Sequence, residues 1–276
     1  MAYATIMVCL RLERSNAGLL RMAGGLAERF HARVIGVATR QPTPFIYSDT
    51  YVPAEIIEQD REEIRKSVGM AEEEFRGALA DRADKLEFRS MLMFGPLADY
   101  VADEARSADL VLVEADAEGA AFDPLLDVDI GDLAMRAGRP LLVAPSGADA
   151  FRLNHALVGW KDTRETRRAI VDALPLLEAA SHVTVVEIAA QEEIAEAMAR
   201  LQDVVGWLER HGVRAESIAA PSTGEDAGRL KAIAREQGAD LIVAGAYGHA
   251  RLREWAFGGV TRDLLRYAGA CSLVSH

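Results

Sequence analysis

The sequence predicts an α/β protein made of two tandem halves, each an open five-stranded parallel sheet flanked by helices. Three observations carry this. Apolar runs of strand length alternate with amphipathic stretches of helix length along the whole chain, the pattern of a parallel sheet covered on both faces. The segment Ala108-Asp-Leu-Val-Leu-Val-Glu-Ala115 returns as Ala239-Asp-Leu-Ile-Val-Ala-Gly-Ala246, and Asp132-Leu133, Ala137-Gly138 and Leu142-Val143 return as Asp263-Leu264, Ala268-Gly269 and Leu273-Val274. Both sets share one offset (239 − 108 and 263 − 132, each 131), the mark of an internal repeat. Finally, 276 residues, 50% of them hydrophobic, suffice for two cores of about 140 residues.

In the first half, strands are expected at Tyr3 to Leu10, Arg33 to Ala38, Leu86 to Phe94, Leu110 to Val113 and Leu141 to Ala144. Helices run from about Asn16 to Phe30, from about Ala54, from Pro96 and across Asp132 to Ala137. The long helix from Ala54 carries Ile57, Ile64, Val68, Ala71 and Phe75 on one stripe, spaced to face a core. In the second half, strands are expected at Ala156 to Trp160, Val183 to Ile188, Arg214 to Ala219, Leu241 to Ala244 and Ser272 to Ser275. Helices begin at Thr163, Ile194, Glu225 and about Gly258. Asp162 with Glu165 three residues on has the form of a capping box, and Ile194, Met198, Leu201, Val205 and Leu208 make a second buried stripe. The turn-rich Pro145-Ser-Gly-Ala-Asp149 separates domains 1–144 and 150–276.

A formal charge of −12 repels phosphate backbones and anionic lipid, so neither nucleic acid nor membrane is an expected partner. No run reaches the roughly 18 apolar residues of a membrane span, and the first ten residues lack a secretory pattern. The two cysteines, Cys9 and Cys271, lie inside strand-like runs, where free thiols act as small hydrophobes. A reducing, cytoplasmic setting fits. His31, His155, His182, His211 and His276 have no metal-ligand spacing, and no metal site is expected.

The segment with chemistry beyond the fold is Gly245-Ala-Tyr-Gly248-His-Ala-Arg-Leu-Arg-Glu-Trp-Ala-Phe-Gly258-Gly259-Val260-Thr261. It follows the buried run that ends at Ala244, so Gly245 falls at the carboxyl end of a parallel strand, where open α/β sheets bind ligands. Glycines there let backbone N–H groups approach an anion, and Gly258-Gly259 open a helix whose N-terminus favours phosphate. His249, with Arg251 and Arg253, adds positive charge. Spacing alone leaves a plain turn and close helix packing equally open.

G-x2-G-x9-G after a strand near the end of a domain of this size resembles the nucleotide motif of the universal stress protein family. The likeness covers essentially the whole chain, including Val158-Gly-Trp-Lys-Asp-Thr163 and Gly269. It implies an adenine nucleotide alpha hydrolase-like fold and an adenine-nucleotide partner, ATP with or without magnesium, held by a sensor or regulator rather than a fast enzyme. By position, Gly245 and Gly248 would approach the phosphates, Gly258, Gly259, Val260 and Thr261 would give phosphate and ribose contacts, and the backbone near Glu187 would meet the adenine. Gly259 replaces the family's Ser or Thr, with Thr261 two residues on. Lys161 stands where the family has an acid, either to meet a phosphate or to be solvated.

The first half has lost every motif glycine: Glu114, Ala117 and Asp127 stand opposite Gly245, Gly248 and Gly258, and Arg11 stands where the acid would be. Carboxylates there would repel a triphosphate, so this half is expected to be degenerate. The family likeness also implies terminal-strand pairing. That pairing joins either Leu141 to Ala144 with Ser272 to Ser275 as an internal pseudo-dimer, or two chains as a homodimer. The alternative to a nucleotide-binding stress-response protein is a dimerisation or interaction module of the same fold. Catalysis is less expected, because no G-x-x-x-x-G-K-(S/T) loop or catalytic triad is evident.

Overall fold

The computed structural model describes residues 2–43, 54–117, 119–246 and 269–276. The first half runs β1 (Thr5–Leu10), α1 (Ala17–Phe30), β2 (Arg33–Arg40), α2 (Ala54–Leu79), β3 (Leu86–Leu92), α3 (Leu97–Glu104), β4 (Leu110–Glu114), α4 (Ile130–Arg136) and β5 (Leu141–Ala144). The second runs β6 (His155–Trp160), α5 (Arg164–Ala179), β7 (His182–Ala189), α6 (Ile194–Arg210), β8 (Ala215–Pro221), α7 (Asp226–Glu236), β9 (Leu241–Gly245) and β10 (Cys271–Ser275). The helix expected from about Gly258 lies outside the described residues.

The ten strands form one sheet in the order β3-β2-β1-β4-β5-β10-β9-β6-β7-β8. Within each half every pairing is parallel. The halves meet where β10 pairs antiparallel with β5, Leu273 opposite Leu142. In each half the chain moves outward from its first strand and then crosses back, so the order reverses between β1 and β4 and again between β6 and β9. Such switch points leave a crevice at the carboxyl ends of the strands.

The inner strands are buried on both faces: β1 and β5 throughout, β4 and β9 in all but their last residue. This explains why their sequences are continuous apolar runs rather than alternating ones. On one face a single core unites both halves, drawing on Leu20 and Leu26 of α1, Phe75 of α2, Leu176 of α5 and Leu201 of α6. On the other face the core is split, with α3 and α4 covering the first half and α7 the second.

Of the α2 stripe, Ile64, Ala71 and Phe75 are buried and Ile57 and Val68 half-buried. Leu201 and Leu208 anchor α6. The cap of α5 differs from the expected capping box. Thr163, with extended backbone, accepts a hydrogen bond from the Thr166 amide, while Asp162 pairs with Arg167 at 2.8 Å. The helix therefore starts one residue later, with Thr163 rather than Asp162 as its N-cap.

Both cysteines are free and buried. Burial pushes the Cys9 thiol up to about 12, despite Arg11. It does the same for Cys271, with Asp240 adding to the effect. The native values lie above the ordinary value of 9.0, so the fold favours the protonated thiols. That contribution is whole below about pH 9 and declines as pH rises toward about 12. Tyr3, raised by burial and by Asp172, acts in the same direction. The expected result is a urea midpoint that falls progressively above pH 9, with neither thiol alkylated at pH 8 unless denaturant is added.

Candidate functional site

The crevice of the second half is bounded by the carboxyl ends of β6 and β9, which pair as far as Gly159 opposite Ala244, and by the start of α5. Ala244 is buried, at 6% exposure. Gly245 faces the first turn of α5 so closely that an added Cβ would fall 2.5 Å from the Thr166 amide nitrogen and 2.7 Å from the Glu165 carbonyl carbon. A glycine here therefore has a packing cause: any side chain drives α5 off the strand end. The next amide, Ala246 N–H, donates to Ser275 O at 2.7 Å, completing the β9–β10 ladder rather than facing the crevice.

Lys161 follows β6 on the lip of the crevice. It is exposed, and its ammonium makes no ion pair or hydrogen bond with a described residue, although its carbonyl accepts from the Thr163 amide at 2.6 Å. In the first turn of α5, Glu165 and Thr166 are buried. Burial pushes the Glu165 carboxyl up, but the Arg164 guanidinium, its own amide and the Thr163 hydroxyl together hold it below the usual range. A carboxylate near a helix N-terminus is favourably placed.

Glu187 lies beside Trp160 in register. Its side chain is buried, with one oxygen accepting from Arg200 of α6 at 2.6 Å. Its other oxygen, Trp160 Nε1 and Arg200 Nε are buried with no hydrogen-bond partner among the described residues. The family likeness points to the Glu187 backbone and includes Trp160 only within Val158 to Thr163, while nothing local in the sequence points to Arg200. The one available signal was a tryptophan ending an otherwise small apolar strand. Gly248, His249, Gly258, Gly259, Val260 and Thr261 lie outside the described residues.

The corresponding crevice of the first half is filled by its own chain. Arg11, in the place of Lys161, reaches across the β1–β4 fork to Glu114 O at 3.0 Å and Asp116 Oδ1 at 2.5 Å. Glu114 Oε1 accepts from the Gly147 amide at 2.8 Å. The segment before α4 is tied over the strand ends by Gln41 N–H to Leu125 O at 2.9 Å. Its residues Leu126, Val128 and Ile130, with Cys9 and Thr39, leave a cavity of only about 20 Å³. Asp127 is buried and sits 3.8 Å from Arg14. The carboxylates are thus matched to internal cations and amides, and occupancy closes this crevice in addition to charge.

Among the described residues, no cluster of three or more His, Cys, Asp or Glu side chains could hold a metal ion, and no helix is long and apolar enough to cross a membrane.

No protein-family model matches the chain, and no curated protein does. Among solved structures, a universal stress protein from Archaeoglobus fulgidus DSM 4304 superposes with a TM-score of 0.74 at 12% identity, the match covering 99% of this chain and 98% of that one. A functionally unknown protein from Pseudomonas aeruginosa PAO1 superposes with a TM-score of 0.63 at 12% identity, over 99% and 92% of the two chains. At such identity the likeness is one of fold, and it spans both halves in a single match. The chain has the universal stress protein fold in a doubled form.

Proposed function

We propose that the protein is a cytoplasmic stress-response protein whose second half, residues 150–276, binds an adenine nucleotide, ATP with or without magnesium, at the β6–β9 switch point. Residues 1–144 form its degenerate, structural counterpart. The supporting observation is the asymmetry between the two crevices. Arg11 is locked between Glu114 and Asp116, whereas Lys161 stands exposed and unpaired among the described residues. An unpaired ammonium at the end of the first strand suits a polyphosphate as a point charge.

In this reading Lys161 meets a phosphate, Gly245 sets the distance of α5 from the strand ends, and the Glu187 backbone borders the base. Gly248, His249, Gly258, Gly259, Val260 and Thr261 complete the cradle. The described portion fits an anion in its free cation and its proximity to the α5 N-terminus. Its acids are already paired, Asp162 with Arg167, Glu165 with Arg164 and Glu187 with Arg200, so sugar contacts fall to the motif itself. The protein acts as a sensor or regulator rather than a fast enzyme. The two halves act as an internal pseudo-dimer, a reading the β5–β10 pairing supports, and a homodimer would then use another surface.

Lys161→Glu tests the assignment. ATP affinity measured by calorimetry is expected to fall by roughly tenfold or more, as for loss of a charge-assisted contact, with AMP affected less. Equal weakening of ATP and AMP, or none, would remove Lys161 from the phosphate site.

A further inference from the structure

A second cleft lies between α1, the turn after α2 and the segment that leads into β6. Its volume is about 310 Å³, at the lower end of small-molecule sites, which run from about 300 to 1,000 Å³. Its floor is apolar, formed by Met22, Leu26, Phe151 and Leu153. Gly25 lines the opening on the α1 side, where a Cβ built on it meets nothing within 4 Å. At the neighbouring Gly24 a Cβ would lie 2.8 Å from the Arg82 guanidinium, the mobile end of a side chain that can shift aside. Gly25 has no packing cause, in a mid-helix position where glycine weakens the helix.

The rim is cationic. Arg82 is matched by Glu28 at 2.7 Å. Arg21 and Arg29 are exposed and make only carbonyl contacts, Nε to Asp149 O at 3.3 Å and an Nη to Ala179 O at 3.0 Å. Neither is ion-paired with a described residue. Asp149 is the acid in the lining, so two unpaired guanidiniums stand against one carboxylate, in a chain of net charge −12. Guanidinium forks above an apolar floor suit a bidentate carboxylate with a hydrocarbon body.

We propose that this cleft is a binding site for a small amphipathic organic anion, a carboxylate whose apolar tail lies on Met22, Leu26 and Phe151 while its head meets Arg21 and Arg29. The site joins the first half to the segment entering the second, so its occupant braces their junction. It stands apart from the nucleotide proposal, and failure of either leaves the other intact.

Octanoate is the probe, titrated into the full chain by calorimetry, with 1-octanol as its uncharged counterpart. One octanoate per chain is expected, with octanol bound at least roughly tenfold more weakly. Arg29→Gln weakens octanoate by roughly tenfold, Asp149→Asn tightens it, and Gly25→Leu, which fills the opening from an exposed helix position, abolishes it. Absence of octanoate binding to the wild type, equal binding of octanol, or unchanged binding by Gly25→Leu would overturn the proposal.

Discussion

Leu273→Asp is expected to cost about 4 kcal/mol or more and to abolish the cooperative urea transition of the whole chain. Leu273 is fully buried, opposite the equally buried Leu142, on the one strand pairing among the described residues that joins the halves. It also belongs to the core that runs through both halves on one face. A carboxylate there has neither water nor a partner. Should the variant fail to fold, Leu273→Ala supplies the graded version, with an expected loss of about 3 kcal/mol from the cavity. Circular dichroism across a urea titration checks both, and a loss under about 1 kcal/mol for Leu273→Ala would show that the halves do not depend on their seam.

Gly245→Ala is expected to destabilise the protein by about 2–3 kcal/mol without any ligand present. The two nearest atoms its Cβ would strike are backbone atoms of Thr166 and Glu165, with the Thr166 hydroxyl third, so α5 yields by moving as a body. That helix packs on β9 and β10 and carries the buried Ala169, Ala173 and Leu176, so movement loosens the middle of the sheet. A shift in the urea midpoint worth less than about 0.5 kcal/mol would refute the close approach. A loss of nucleotide affinity in a Gly245 variant therefore reports α5 placement as much as phosphate contact, and the binding test belongs at Gly248.

The repeat at a constant offset made the doubled α/β architecture legible in the sequence, as did the continuous apolar runs. Leu141–Ala144 coincides with the expected strand, and Arg33–Arg40 overruns it by two residues. The extension has a visible cause: Thr39 and Arg40 continue the ladder against Met91 and Leu92. Tyr3 opens the expected first strand but lies outside β1, which starts at Thr5. Instead its ring stacks edge-on to Phe30 at 5.2 Å and its hydroxyl donates to Asp172 O in α5 at 2.6 Å, a contact between halves that no local pattern encodes.

The site was legible by position and not by closure. Glycine spacing pointed to the end of β9, but the packing cause of Gly245 depends on α5, about 80 residues earlier in the chain. The first half looked unfit for nucleotide through its carboxylates. The structure adds Arg11 reaching Asp116 across 105 positions of sequence, a pairing that exists only once β1 and β4 are neighbours.

The most direct measurement is the stoichiometry of ATP binding by calorimetry, with magnesium, to the wild type, Gly248→Glu and Arg11→Ala. One site per chain is expected in the wild type and in Arg11→Ala, and none in Gly248→Glu. Absence of heat from the wild type at millimolar ATP, or equal heats from wild type and Gly248→Glu, would contradict a nucleotide site in the second half.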